Sequence, residues 1–164
     1  MQKIVDFSLL DKTFIENNKK IKSQRIEGYD VSNLGDEIMV GSMVVFEGDK
    51  PIKKEYKKFK IKNVKNQSDT DCIKEIIERR FNHKEWKMPD IILIDGGKPQ
   101  VSAVKTIVKD IPVIGIAKGS DRKKDEIIAD TNNYNKDTLI KVRDEAHRFA
   151  ISYQRKIKRK KLTS

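Results

Sequence analysis

A single cysteine, Cys72, is the most restrictive feature of this 164-residue sequence. It cannot close a disulfide within the chain or assemble a cysteine-based zinc cluster, so a reducing compartment is expected. Long apolar runs are also missing. The longest, residues 91–94 and residues 111–117 with Pro112 and Gly115 inside, fall far below the roughly 18 residues of a bilayer span and read as buried strands. The first ten residues carry one lysine and no apolar core followed by small residues, which argues against a signal peptide. A soluble, cytoplasmic protein with no membrane partner is the expectation.

What the chain has in abundance is charge. Subtracting 25 acidic from 36 basic residues leaves +11, and the charged fraction, 37%, equals the hydrophobic fraction. That is enough apolar material for one domain with a core, under a densely charged surface. An excess of this sign favours a polyanionic partner such as nucleic acid; an acidic membrane surface is the rival.

Residues 1–24 are polar and rich in Lys and Asn, with small apolar patches at 7–10 and at Phe14 and Ile15, and are expected to form a weakly ordered lead-in. Three β-like runs follow, at 25–31, 37–47 and 55–62, separated by turn residues at 32–36 and 48–51. The second is apolar on both faces and should be covered on both sides. The third alternates, with Phe59 and Ile61 on one face and Lys58, Lys60 and Lys62 on the other, as an edge strand does.

Ser68 and Asp71 open a helix with Ile73, Ile76, Ile77 and Phe81 at helical spacing. A solid strand at 91–94 ends at Asp95-Gly96-Gly97. Pro99 suits the first turn of the next helix, which carries Val101, Val104 and Val108 on one face. Residues 111–117 are a fifth strand. A charged loop at 118–126 and a polar stretch lead to a long final helix from about Thr138, striped by Leu139, Val142, Ala146, Phe149 and Tyr153.

The order is βββαβαβ, a loop, then α. Strands joined by short turns are antiparallel, and strands joined through a helix are parallel with a right-handed crossover. This is the ribonuclease H-like α/β layout: a mixed five-stranded sheet, three antiparallel strands then two parallel ones, flanked by helices. It is expected to span 25–154, with 155–164 as a basic tail or the start of a linker. In that layout the first and fourth strands are neighbours, which brings Asp30 beside Asp95.

Two carboxylates so placed repel each other, and a hard divalent cation between them is the natural remedy. Mg²⁺ uses one or two protein carboxylates and takes phosphate oxygens as further ligands, as a phosphodiester nuclease requires. Against this, Asp-Gly-Gly is ordinary turn chemistry. His147, beside the apolar stripe of the last helix, could be a metal ligand, a base for water, or a partly buried helix histidine satisfied by a neighbour. His83 reads as solvated. Asp71 reads as a helix cap, and Asp69 remains a candidate third carboxylate.

Five ordered segments carry a resemblance: 25–33 (RIEGYDVSN), 42–46 (SMVVF), 57–62 (KKFKIK), 94–98 (IDGGK) and 143–150 (RDEAHRFA). Together they resemble the carboxy-terminal endonuclease domain of UvrC, the incision subunit of bacterial nucleotide excision repair. The resemblance runs from about Arg25 to Ser164. It implies a nuclease that cuts damaged duplex DNA on the 5′ side of a lesion with Mg²⁺ or Mn²⁺. It also implies Asp30, Asp95 and His147 as metal-binding and catalytic residues, Asp69 as a further functional acid, and a bacterial, nucleoid-associated setting. A histidine on the last helix, where many ribonuclease H-like enzymes have a carboxylate, hints at fewer metal ions. The family also implies a UvrB-type repair complex, although its UvrB-binding segment and helix-hairpin-helix modules have no counterpart in this sequence. A monomer is expected.

The dense basic run at 155–161 reads either as a solvated helix end or as a phosphate grip. The expected DNA contacts are Lys58, Lys60, Lys98, Lys118, Arg122, Arg143, Arg148, Lys158 and Arg159. Lys98 is favoured by the free N–H groups of a helix start. Two other readings stand beside the repair nuclease: a catalytically inactive ribonuclease H-like nucleic-acid-binding module, and a nuclease for hybrid or branched substrates.

Overall fold

The computed structural model describes residues 7–33, 39–61, 68–119 and 124–164, with backbone only at 7–11 and 21–22. Helix α1 (Phe7–Lys22) leads into strands β1 (Arg25–Asn33), β2 (Met39–Glu47), β3 (Lys50–Pro51) and β4 (Lys57–Lys60), with a 3-10 turn at Lys53–Glu55. Then come α2 (Asp69–Asn82), β5 (Ile91–Asp95), α3 (Lys98–Lys105), β6 (Val113–Lys118), β7 (Asp125–Ile128) and α4 (Lys136–Leu162).

The strands form one mixed sheet ordered β3-β2-β1-β5-β6-β7, with β4 also paired to β2. β1 runs antiparallel to β2 and parallel to β5, and β5 runs parallel to β6. The first and fourth of the expected strands are neighbours, as anticipated. Among the described residues the sheet has seven strands, where five were expected. β3 and β4 share one edge of β2, at Phe46–Glu47 and Val40–Met43; β3 falls in residues expected to be a turn, and the 3-10 turn at Lys53–Glu55 separates it from β4, the core of the third expected run.

β7 replaces part of the expected loop and polar stretch. Its Asp125 and Glu126 precede only two apolar residues, too short a pattern to announce a strand, and pairing with β6 supplies what local propensity does not. The lead-in contains α1, which has no Gly or Pro to break it; its described side chains at 12–20 are all exposed.

Apolar side chains fill both sides of the sheet. Tyr29, Met43, Ile92 and Ile94 pack under α2 and α3, while Ile26, Val44, Leu93 and Ile116 pack under α4. Two-sided burial explains the unbroken apolar runs of β2 and β5. The capping box at Ser68 and Asp71 is formed, with the Ser68 hydroxyl accepting from the Asp71 N–H at 3.2 Å. At 27 residues α4 is about 40 Å long. Its buried positions end at Ala150, so the basic run continues as helix beyond the sheet.

Gly28 sets the depth at which α4 lies. A Cβ there would sit 2.5 Å from Val142 Cγ1, so only glycine lets the helix approach β1 this closely. A second anchor is the buried Ser42 hydroxyl, which donates to the Ala146 carbonyl at 3.0 Å. Both hold the turn of α4 that carries His147.

Candidate functional site

Alternation along β1 sends Ile26, Gly28 and Asp30 toward α4 and Glu27 and Tyr29 toward α2. In β5 the same rule sends Ile91, Leu93 and Asp95 toward α4. The register Tyr29↔Ile94 therefore sets Asp30 and Asp95 side by side at the carboxyl ends of two parallel strands. Ligands in open α/β sheets commonly bind at such strand ends. His147 comes down from α4, its Nδ1 3.2 Å from Asp30 Oδ2. One ligand atom from each of Asp30, Asp95 and His147 lies within 4.8 Å of the others.

Asp30 is 6% exposed, whereas the His147 side chain is 59% exposed, so the centre opens to solvent on the helix side. Burial, then the charge of Asp95, pushes the Asp30 carboxyl up to about 6, although the His147 contact pulls the other way. Burial also raises Asp95, against the lowering influence of Arg143, His147 and Lys118. Two carboxyls held above their ordinary range in one spot form an anionic site that a cation would relieve.

The spacing fits one small divalent ion. The three ligand atoms lie within 4.8 Å of one another, so the side chains converge on a common point that a small divalent ion could share. Two carboxylates and an imidazole are also a donor set that Mn²⁺ accepts.

The other expected residues divide. Asp69 is the exposed first residue of α2; it lines a cavity of about 40 Å³ together with Asp95 and Gln100, and it is not one of the three clustered ligands. Arg143 faces the centre but is clamped by Asp125, through Nη1–Oδ1 at 2.8 Å and Nη2–Oδ2 at 3.1 Å, and it also donates to Asp144. Arg148 is held by Glu145 at 2.6 and 2.8 Å. Lys58, Lys60, Lys98, Lys118, Lys158 and Arg159 are exposed. Arg122 lies outside the described residues. His83 is exposed, stacked on Trp86 and paired with Glu85 at 2.7 Å.

Two of the ion pairs that escaped sequence reading involve residues on the site's own strands and helices. The Asp125–Arg143 clamp depends on β7, which the pattern did not reveal. The second lies on the face of β1 opposite Asp30: Arg80 donates to Glu27 through Nε and Nη2, both at 2.8 Å, with both side chains fully buried. The Tyr29 hydroxyl donates to the same Glu27 carboxylate at 2.6 Å. A signal existed, since Arg80 continues the spacing of Ile73, Ile76 and Ile77 on the inward face of α2.

Residues 17–151 match the family model described as the UvrC RNAse H endonuclease domain. The UvrABC system protein C of Dehalococcoides mccartyi (strain CBDB1) is 44% identical over 155 residues, a stretch covering 84% of this chain and 26% of that protein. The same-named protein of Clostridioides difficile is 42% identical, covering 85% of this chain and 24% of its own length. The chain thus spans about a quarter of these relatives. Among solved structures, endonuclease V of Ciona intestinalis, in complex with a 24mer DNA containing an inosine followed by a ribo-adenosine, superposes with a TM-score of 0.57. That match covers 93% of this chain and all of the other at 14% identity, a likeness of fold. With the sheet order, the paired strand-end aspartates and the helix-borne histidine in place, these matches assign the chain to the UvrC RNAse H endonuclease domain family.

Proposed function

We propose that this chain is a divalent-metal-dependent endodeoxyribonuclease that hydrolyses a phosphodiester bond on the 5′ side of a lesion during nucleotide excision repair. The observation that carries the proposal is the convergence of Asp30, Asp95 and His147 within 4.8 Å at the ends of adjacent parallel strands. Family membership supports the substrate class.

Asp30, Asp95 and His147 would hold a single Mg²⁺ or Mn²⁺. Once bound, the ion supplies Lewis-acid polarisation of the phosphoryl group and charge neutralisation. The chain's own residues do the rest. With the proton on Nδ1, His147 donates to Asp30 across their 3.2 Å contact, which fixes the ring and leaves Nε2 with the free lone pair to ligate or to take a proton from water. Arg143, fixed by Asp125, keeps a positive charge beside the two acids. Asp69, across the small cavity from Asp95, is the further acid, in an orienting role. Lys58, Lys60, Lys98, Lys118, Arg122, Lys158 and Arg159 would contact backbone phosphates, with Arg143 and Arg148 contributing charge to the same face.

The setting is the bacterial cytoplasm, with damaged duplex DNA as substrate and a UvrB-type complex as partner. Among the described residues no helix is long and apolar enough to cross a membrane. The deciding experiment incubates the protein with lesion-bearing duplex, undamaged duplex and RNA/DNA hybrid, with Mg²⁺, with Mn²⁺ and with EDTA, and maps the cut. Divalent-dependent nicking 5′ to the lesion is expected. Cleavage that survives EDTA, or no cleavage of any DNA with either ion, would overturn the proposal.

A further inference from the structure

We propose that Lys58, held across the rings of Phe149 and Tyr153, forms a dedicated phosphate subsite for the strand entering the metal centre, with the two aromatic residues as positioning residues. The inference rests on the nuclease reading for its substrate and adds a site to it.

The sheet register puts Lys58 in line with the centre. Lys58 pairs with Ser42 across β4 and β2, and Ser42 pairs with Asp30 across β2 and β1. Residues directly opposite one another share a face, so Lys58, Ser42 and Asp30 form a row under α4, two strand spacings or about 10 Å long at the backbone. The subsite therefore flanks the aspartates on the side opposite Arg143 and β7.

The lysine is held without being neutralised. Its ammonium lies 4.8 Å from the Tyr153 ring centroid and 5.2 Å from that of Phe149, within cation–π range of both. No carboxylate lies within ion-pair distance of it among the described residues, in contrast with Arg143 and Arg148, each engaged by an acid. Phe149 is itself braced edge-on by Tyr56, with centroids 5.1 Å apart, and the Tyr56 hydroxyl donates to Glu145 at 3.2 Å.

A ring quadrupole attracts an ammonium but contributes no counter-charge, so the full positive charge remains for a phosphate. A free lysine loses substantial rotamer entropy on binding, and the cradle removes part of that loss in advance. Phe149 and Tyr153 are one helical turn apart on α4, two and six residues beyond His147. The same helix thus orients the histidine and the cation.

The test uses the full chain and measures salt-dependent binding to duplex DNA beside metal-dependent nicking. Lys58→Ala should lower the log affinity against log salt slope by roughly 0.9, so that the variant's affinity falls about 3.5-fold less than wild type's over a fourfold rise in salt. Tyr153→Leu should leave the slope near wild type but weaken binding roughly two- to fivefold, the loss of one exposed cation–ring contact. That weakening should vanish when Lys58 is already alanine, a coupling that a purely structural role of the ring would not produce. Phe149→Leu should behave alike, and because it is more deeply packed, Tyr153→Leu keeps the test valid should Phe149→Leu unfold. Tyr153→Phe should restore binding.

An unchanged slope in Lys58→Ala, or equal losses from Tyr153→Leu with and without Lys58, would overturn the subsite while wild-type nicking kept the nuclease reading intact. Absence of metal-dependent nicking by wild type would defeat the nuclease reading instead, with the binding slopes still judging the subsite.

Discussion

Replacing Asp30 by asparagine should strengthen the fold while destroying the metal centre. In EDTA, the buried Asp30 carboxyl stands beside Asp95 with its pKa raised from 3.8 to about 6. Below about pH 4 it is neutral in the folded and unfolded chain alike, and asparagine gains nothing. Between about 4 and 6 the unfolded chain releases a proton that the folded chain keeps, so wild-type stability falls as pH rises, and the difference is complete above about 6. At about 1.4 kcal/mol per unit, the shift amounts to about 3 kcal/mol at neutral pH. Weakening of the 3.2 Å contact with His147 offsets about 1 kcal/mol of this. A net gain of about 2 kcal/mol in a domain of this size corresponds to a rise in Tm of roughly 4–8 °C. Thermal melts of wild type and Asp30→Asn at pH 4 and pH 7.5, with and without Mn²⁺, provide the assay. The variant should melt higher than wild type only at pH 7.5 in EDTA, and Mn²⁺ should raise the Tm of wild type alone. Equal Tm values at pH 7.5 in EDTA, or Mn²⁺ stabilisation of the variant, would refute the charge-pair account of this site.

Three further perturbations probe different parts of the same assembly. His147→Ala should reduce single-turnover cutting by roughly 10²-fold or more, the range for losing an acid–base group. DNA affinity, spread over many cations, should change less than about threefold in a binding titration. Gly28→Ala should lift α4 from the sheet, because its Cβ would meet Val142 Cγ1 at 2.5 Å; a loss of about 1–3 kcal/mol in urea titration and a fall in nicking rate should come together. Arg80→Met strands the buried Glu27 carboxylate and should cost about 3–5 kcal/mol, whereas Glu27→Leu combined with Arg80→Met should cost much less. Denaturant midpoints of the single and double variants decide that point.

Much of the architecture was readable along the chain, because hydrophobic period and turn chemistry are local properties. The both-faces-apolar run of β2, the alternating lysines of β4, the Ser68–Asp71 cap and the stripe of α4 all appear as expected. Connection rules give the strand directions, and the ribonuclease H-like layout they point to supplies the neighbours and the meeting of Asp30 and Asp95. Residue type, period and connectivity thus specified the mixed sheet and its strand-end acids before any contact was known.

What only the folded molecule decided are interactions whose partners are far apart in sequence. β7 has almost no apolar pattern of its own and exists because β6 offers an open edge; with it comes Asp125, the acid that holds Arg143. The depth of α4 is set by a missing Cβ at Gly28 and by the Ser42 hydroxyl, and neither reads as a helix-docking signal along the chain. The division of the basic residues was equally hidden. Arg143 and Arg148 are occupied by acids, whereas Lys58 rests on two rings, because charge compensation depends on distance in space rather than position in sequence.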